Sequence, residues 1–87
     1  MKPVKMFIME ACPYCKKARA WMDEVFEAHP EYRAVHLTVI DERREPELAN
    51  SYDYWYVPTY YVGDEKRHEG VATKEIVERV FAEAYAG

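Results

Sequence analysis

The sequence has little positive charge to offer and no long apolar run. Lysine and arginine together number 12 against 16 acidic residues, leaving a net charge of −4 over 87 residues. Its densest basic run, Lys16, Lys17 and Arg19, is soon followed by Asp23 and Glu24. A chain that reads phosphate backbones needs a basic stripe, so nucleic-acid binding is excluded as an expectation. The N-terminus, Met1-Lys2-Pro3-Val4-Lys5, opens no apolar stretch of signal-peptide or membrane-span length, so no membrane association and a cytoplasmic location are expected. Cysteine is scarce, at two residues. In a reducing compartment two thiols stay reduced, which argues against a permanent disulfide staple. Internal repeats, low-complexity segments and linkers are also missing.

What is present suits one compact domain spanning residues 1–87. Almost half the residues (49%) are apolar and 15% are aromatic, enough for a packed core. Residues 4–9 form an apolar run broken only by Lys5, the pattern of a buried strand. Pro13 sits where a first helical residue belongs, since that position has no use for an amide hydrogen. Ala18, Trp21, Met22, Val25 and Phe26 then recur at helical spacing, which predicts a helix over 13–28 ended by His29-Pro30. Residues 33–40 alternate and are rich in β-branched side chains, predicting a second strand parallel to the first. A second helix over 47–52, strands over 59–62 and 66–69, and a last helix capped by Thr73 complete the order βαβαββα.

Cys12 and Cys15 stand three residues apart at the predicted start of the first helix. Unpaired backbone amides and the positive end of the helix dipole favour a thiolate there, and the thiolate is the form that attacks disulfides. Three-residue spacing lets Cys15 reach the Cys12 sulfur, so Cys12 is read as attacker and the deeper Cys15 as resolving thiol. The plainer alternatives are two buried structural cysteines or half of a metal site. His29, His36 and His68 lie at no paired-ligand spacing, so no metal is expected. Tyr52-Asp53-Tyr54-Trp55-Tyr56 is the most unusual local composition, its rings divided between core and an apolar rim on the loop.

The element order, Cys12-Pro13-Tyr14-Cys15 after the first strand and Val57-Pro58-Thr59 before the third resemble the glutaredoxins over almost the whole chain. The resemblance implies an α/β thioredoxin fold of the minimal glutaredoxin type. Its four-stranded mixed sheet would have the order 2-1-3-4, with the first and last of three helices on one face and the second on the other. It also implies a cis Pro58 facing the cysteines, with the Val57 backbone open to an extended substrate and Tyr56, Gly70, Val71 and Ala72 beside it. Pro13 and Tyr14 complete the active-site motif. Met6 stands where thioredoxin carries a buried carboxylate, so that proton acceptor is absent. Met9 replaces the basic residue with which glutaredoxins hold glutathione. Glu69-Gly70 reduces the glycine pair, and Val71-Ala72-Thr73 lacks the acidic helix start.

The expectation is therefore a thiol–disulfide oxidoreductase acting as a monomeric dithiol donor to disulfide-containing protein substrates. It would bind no cofactor and be recharged by a thioredoxin-reductase-type flavoenzyme or by glutathione. A glutathione-dependent glutaredoxin is the first alternative. A non-catalytic metal, iron–sulfur or redox-sensing module is the second.

Overall fold

The computed structural model describes all residues, Met1–Gly87. Strand β1 (Val4–Ile8) leads into helix α1 (Pro13–Ala28), a 3-10 segment (Pro30–Ala34) and strand β2 (Leu37–Asp41). A short helix α2 (Pro46–Asn50), strands β3 (Thr59–Val62) and β4 (Glu65–Glu69), and helix α3 (Lys74–Ala86) follow. The sheet order is β2-β1-β3-β4. Its central strand β1 pairs in parallel with β2, Val4 opposite Leu37 and Ile8 opposite Asp41. On its other side β1 runs antiparallel to β3, with Met6 opposite Tyr60. The expected fold class and strand order are those observed.

Alternation along the two central strands divides the core in two. Val4, Met6, Ile8, Tyr60 and Val62 face α1 and α3 and meet Cys15, Ala18, Met22, Val25, Val77 and Phe81 in the larger cluster. Phe7, Ile40 and Tyr61 point to the opposite face, where Ala49 of α2 covers them. Each fully buried side chain of this size contributes about 1.5–3 kcal/mol of transfer free energy. Phe7 and Phe81 are 0% exposed, one in each cluster, so both faces of the sheet are anchored. The Thr73 hydroxyl accepts a hydrogen bond from the Ile76 amide at 3.3 Å and starts α3 as expected.

Several boundaries differ from expectation: the end of β2 and the starts of α2 and β4 by one residue each, and three others with a visible cause. β1 ends at Ile8, and Met9 follows it as a half-buried residue whose carbonyl accepts the Cys12 amide at 3.0 Å. Residues 33 and 34 belong to the 3-10 segment, and β2 begins only at Leu37. Pro30 opens that segment, and its carbonyls are used locally, with Tyr32 N bonded to His29 O at 3.0 Å and Val35 N to Tyr32 O at 3.1 Å. Val35 is buried from a turn, which gives the segment a strand-like alternation without a strand. Finally, α2 stops at Asn50 rather than at residue 52. The ring of Tyr52 leaves the helix to pack against Phe7 and Tyr61, with centroids 4.8 and 5.0 Å away. No helix is long and apolar enough to cross a membrane.

Candidate active site

The chain turns from β1 into α1 over four residues, and that turn sets the position of the first thiol. Cys12 is the residue just before the helix, with φ −83° and ψ 117°, and Pro13 takes the first helical position. The Cys12 side chain makes no capping bond, and no acidic residue lies in the first turn. Cys12 thus sits at the positive end of α1 without a competing carboxylate.

Cys15, one turn deeper, is 2% exposed against 6% for Cys12. The order of depth is the expected one, but Cys12 is more enclosed than a position at a helix start suggests. Ile8, Ala72 and the rest of the larger cluster close around it. Both thiols are free. Burial pushes the Cys15 thiol up from its ordinary 9.0 to about 12. The Met9 backbone opposes that rise, whereas the hydrogen bond with Cys12 and the charges of Cys12 and Glu42 add to it.

Opposite the thiols lies the loop before β3. The Val57-Pro58 peptide bond is cis, and the Val57 carbonyl oxygen is 4.0 Å from Cys12 Sγ. Neither the amide nor the carbonyl of Val57 bonds to other backbone, and the carbonyl accepts the Cys12 thiol. Gly70 N donates to Pro58 O at 2.9 Å. This close approach places Gly70 at φ +92°, a conformation natural to glycine.

The aromatic segment divides as its composition suggests. Tyr52 and Tyr54 pack tilted against Phe7 beneath the sheet, each with its centroid 4.8 Å away. Trp55 and Tyr56 stand out at 86% and 70% exposure. Tyr14 and Val71, also exposed, extend the apolar rim around Cys12. Ala72 is buried and offers only its backbone; its amide and that of Val71 make no backbone hydrogen bond.

Two features escaped the sequence reading. The hydroxyl of Tyr60, directly across from Met6, is fully buried without a hydrogen-bond partner. Burial raises its phenol strongly and the nearby charge of Cys15 adds to that, so it stays neutral. The other is Glu69. Its carboxylate accepts hydrogen bonds from the amides of Trp55 and Tyr56, the latter at 2.9 Å, and pairs with Lys66 at 2.8 Å. The Lys66 bond first, then the two amides, hold the Glu69 carboxyl down at about 2. No group of three or more His, Cys, Asp or Glu is gathered where a metal ion could be held.

A dithiol at a helix start, facing a cis-proline loop across the end of a mixed sheet, defines a thioredoxin-like thiol–disulfide oxidoreductase. A family model described as a thioredoxin domain matches residues 2–82, and the chain belongs to that family. A thioredoxin of Methanocaldococcus jannaschii is 30% identical over 72 residues, covering 83% of this chain and 82% of that one. Two solved structures share the fold. One is a malarial protein with a TM-score of 0.74 at 14% identity, covering 97% of each chain. The other is an uncharacterised thioredoxin-like protein from Clostridium perfringens, with a TM-score of 0.69 at 22% identity, covering 97% of this chain and 71% of that one.

Proposed function

We propose that the protein is a dithiol electron donor that reduces disulfides in protein substrates within a reducing compartment such as the cytoplasm. The observation that carries this reading is the Val57 backbone beside Cys12 Sγ, its amide unpaired and its carbonyl bonded to no other backbone. An extended segment flanking a partner's cystine can add to that edge and bring its sulfur onto Cys12. The Cys12 thiolate attacks one sulfur of the partner disulfide, and the other leaves as a thiolate that takes a proton. Cys15 then gives up its proton and attacks the Cys12 sulfur of the mixed disulfide, releasing the second partner thiol. Two electrons and two protons pass to the partner, and a Cys12–Cys15 disulfide remains. Burial disfavours the Cys15 thiolate, so its proton has to leave as Cys15 attacks.

The Cys12–Cys15 disulfide is returned to the dithiol by a thioredoxin-reductase-type flavoenzyme. Met9 supplies no cation at the glutathione position, and Glu69 is already engaged by the loop amides and Lys66. One observation favours glutathione as second reading. A shallow groove of about 310 Å³ beside the site is bordered by Tyr14, Lys17, Val71 and Ala72, and Lys17 offers a charge to a short thiol peptide. A coupled assay decides between them: NADPH oxidation with thioredoxin reductase should greatly exceed that with glutathione and glutathione reductase. Faster turnover with glutathione would instead make the protein a glutaredoxin in function.

A further inference from the structure

The Trp55-Tyr56-Val57 segment is neither helix nor strand, yet it is tied down from several sides. The Tyr54 hydroxyl donates to Glu42 Oε1 at 3.0 Å, and the Tyr61 hydroxyl to the Asp53 carbonyl at 2.7 Å. The Thr59 hydroxyl donates to the Tyr56 carbonyl. At the centre of these ties is Glu69, the last residue of β4, paired across the sheet with Thr59. One of its oxygens accepts both the Trp55 and the Tyr56 amide, and the other takes the Lys66 ammonium at 2.8 Å. The next residue, Gly70, holds the Pro58 carbonyl at 2.9 Å. The end of β4 thus grips the cis-proline loop on both sides of Val57.

That grip has an unusual consequence. Two large rings, Trp55 and Tyr56, are held out in solvent where apolar burial would draw them in. Aromatic residues carried on a backbone already fixed in place lose less entropy when a partner covers them. We infer that Glu69 is a positioning residue that sets substrate specificity. It presents the Trp55–Tyr56 rim and the unpaired Val57 amide to an extended polypeptide carrying a cystine next to apolar side chains. The inference rests on the protein-disulfide reading above and deepens it. Glu69 touches no reacting sulfur, so its loss should fall on a protein disulfide far more than on a small one.

The test compares the reduced wild-type protein with Glu69→Ala and Glu69→Gln. Rate constants are measured with insulin as protein disulfide and with hydroxyethyl disulfide as small disulfide. Glu69→Ala should slow insulin reduction roughly tenfold, as loss of a charge-assisted contact implies. Hydroxyethyl disulfide reduction should change less than about twofold, and Glu69→Gln, which keeps an acceptor oxygen, should recover most of the insulin rate. Hydrogen exchange at the Trp55 and Tyr56 amides should quicken in the alanine variant. An unchanged insulin rate in Glu69→Ala, or an equal fall with both substrates, overturns the role of Glu69. Wild-type protein that reduces hydroxyethyl disulfide but not insulin overturns the protein-disulfide reading itself, and with it this inference.

Discussion

Cys12 Sγ lies 4.0 Å from the carbonyl oxygen of Val57, across 45 residues of chain. The contact brings together two elements with no local reason to meet, the first turn of α1 and the loop before β3. Register makes it possible. β1 lies beside β3, with Phe7 opposite Thr59, so the chain leaving β1 and the chain entering β3 share one end of the sheet. Under the proposed function, a partner sulfur arriving at Cys12 would meet a main chain whose Val57 amide is unpaired. Attack and strand addition occupy the same few ångströms.

The depth of Cys15 has a measurable effect on stability. Its folded thiol titrates at about 12 against an ordinary 9.0, because burial disfavours the thiolate. Between these values the unfolded chain has released the proton and the folded chain has kept it. Folding stability should fall as pH rises from about 9 toward about 12. Denaturant melts of Cys15→Ser should show a shallower decline over the same window. Parallel declines in the two proteins would mean that the raised tyrosine phenols, not Cys15, dominate there.

Tyr60 offers a prediction of opposite sign to the usual core substitution. Its hydroxyl is buried without a partner, and such a group costs about 1–3 kcal/mol to desolvate. Tyr60→Phe keeps the ring against Met6 and removes the orphan oxygen. The variant should match or exceed wild-type stability by urea unfolding, within about 1 kcal/mol. A loss of more than about 2 kcal/mol would show that the hydroxyl has a hydrogen-bond partner in solution.

Gly70→Ala tests the clasp between β4 and the cis-proline loop. At φ +92° an alanine is strained by about 1–2 kcal/mol, although its Cβ would have room, 3.9 Å from that of Tyr56. A thermal melt should show a destabilisation of that size, accompanied by slower reduction of insulin as the Pro58 carbonyl loses its fixed donor. Wild-type stability would mean that the turn relaxes to a negative φ at no cost.

Elements with their own local signals were legible in the sequence. Pro13 and the spacing of Ala18, Met22 and Val25 placed α1 at both ends, and Thr73 marked the start of α3. The third strand was recognisable from its run of β-branched and aromatic residues. The second strand was misjudged because Val35 is buried from a 3-10 turn, and alternation alone does not distinguish that from a strand. The motif pointed to the two thiols, whereas the clamp by Glu69 had no signal. Its partners Trp55 and Tyr56 are 14 and 13 residues away and meet it only through strand pairing. In the sequence Glu69 reads only as the residue that breaks a glycine pair; in the fold it is spent on the loop. The orphan hydroxyl of Tyr60 was equally hidden, since only packing reveals a missing partner.

The central claim is that Cys12 attacks and Cys15 resolves. Reduced Cys15→Ser and Cys12→Ser proteins, each mixed with insulin and examined by intact-mass spectrometry, test it most directly. Cys15→Ser should accumulate one stable mixed disulfide through Cys12, because no second thiol remains to release it. Cys12→Ser should form none at neutral pH, its remaining thiol being buried, which disfavours the thiolate and shields it from the partner. A mixed disulfide formed by Cys12→Ser, with none from Cys15→Ser, would reverse the two roles and contradict the account.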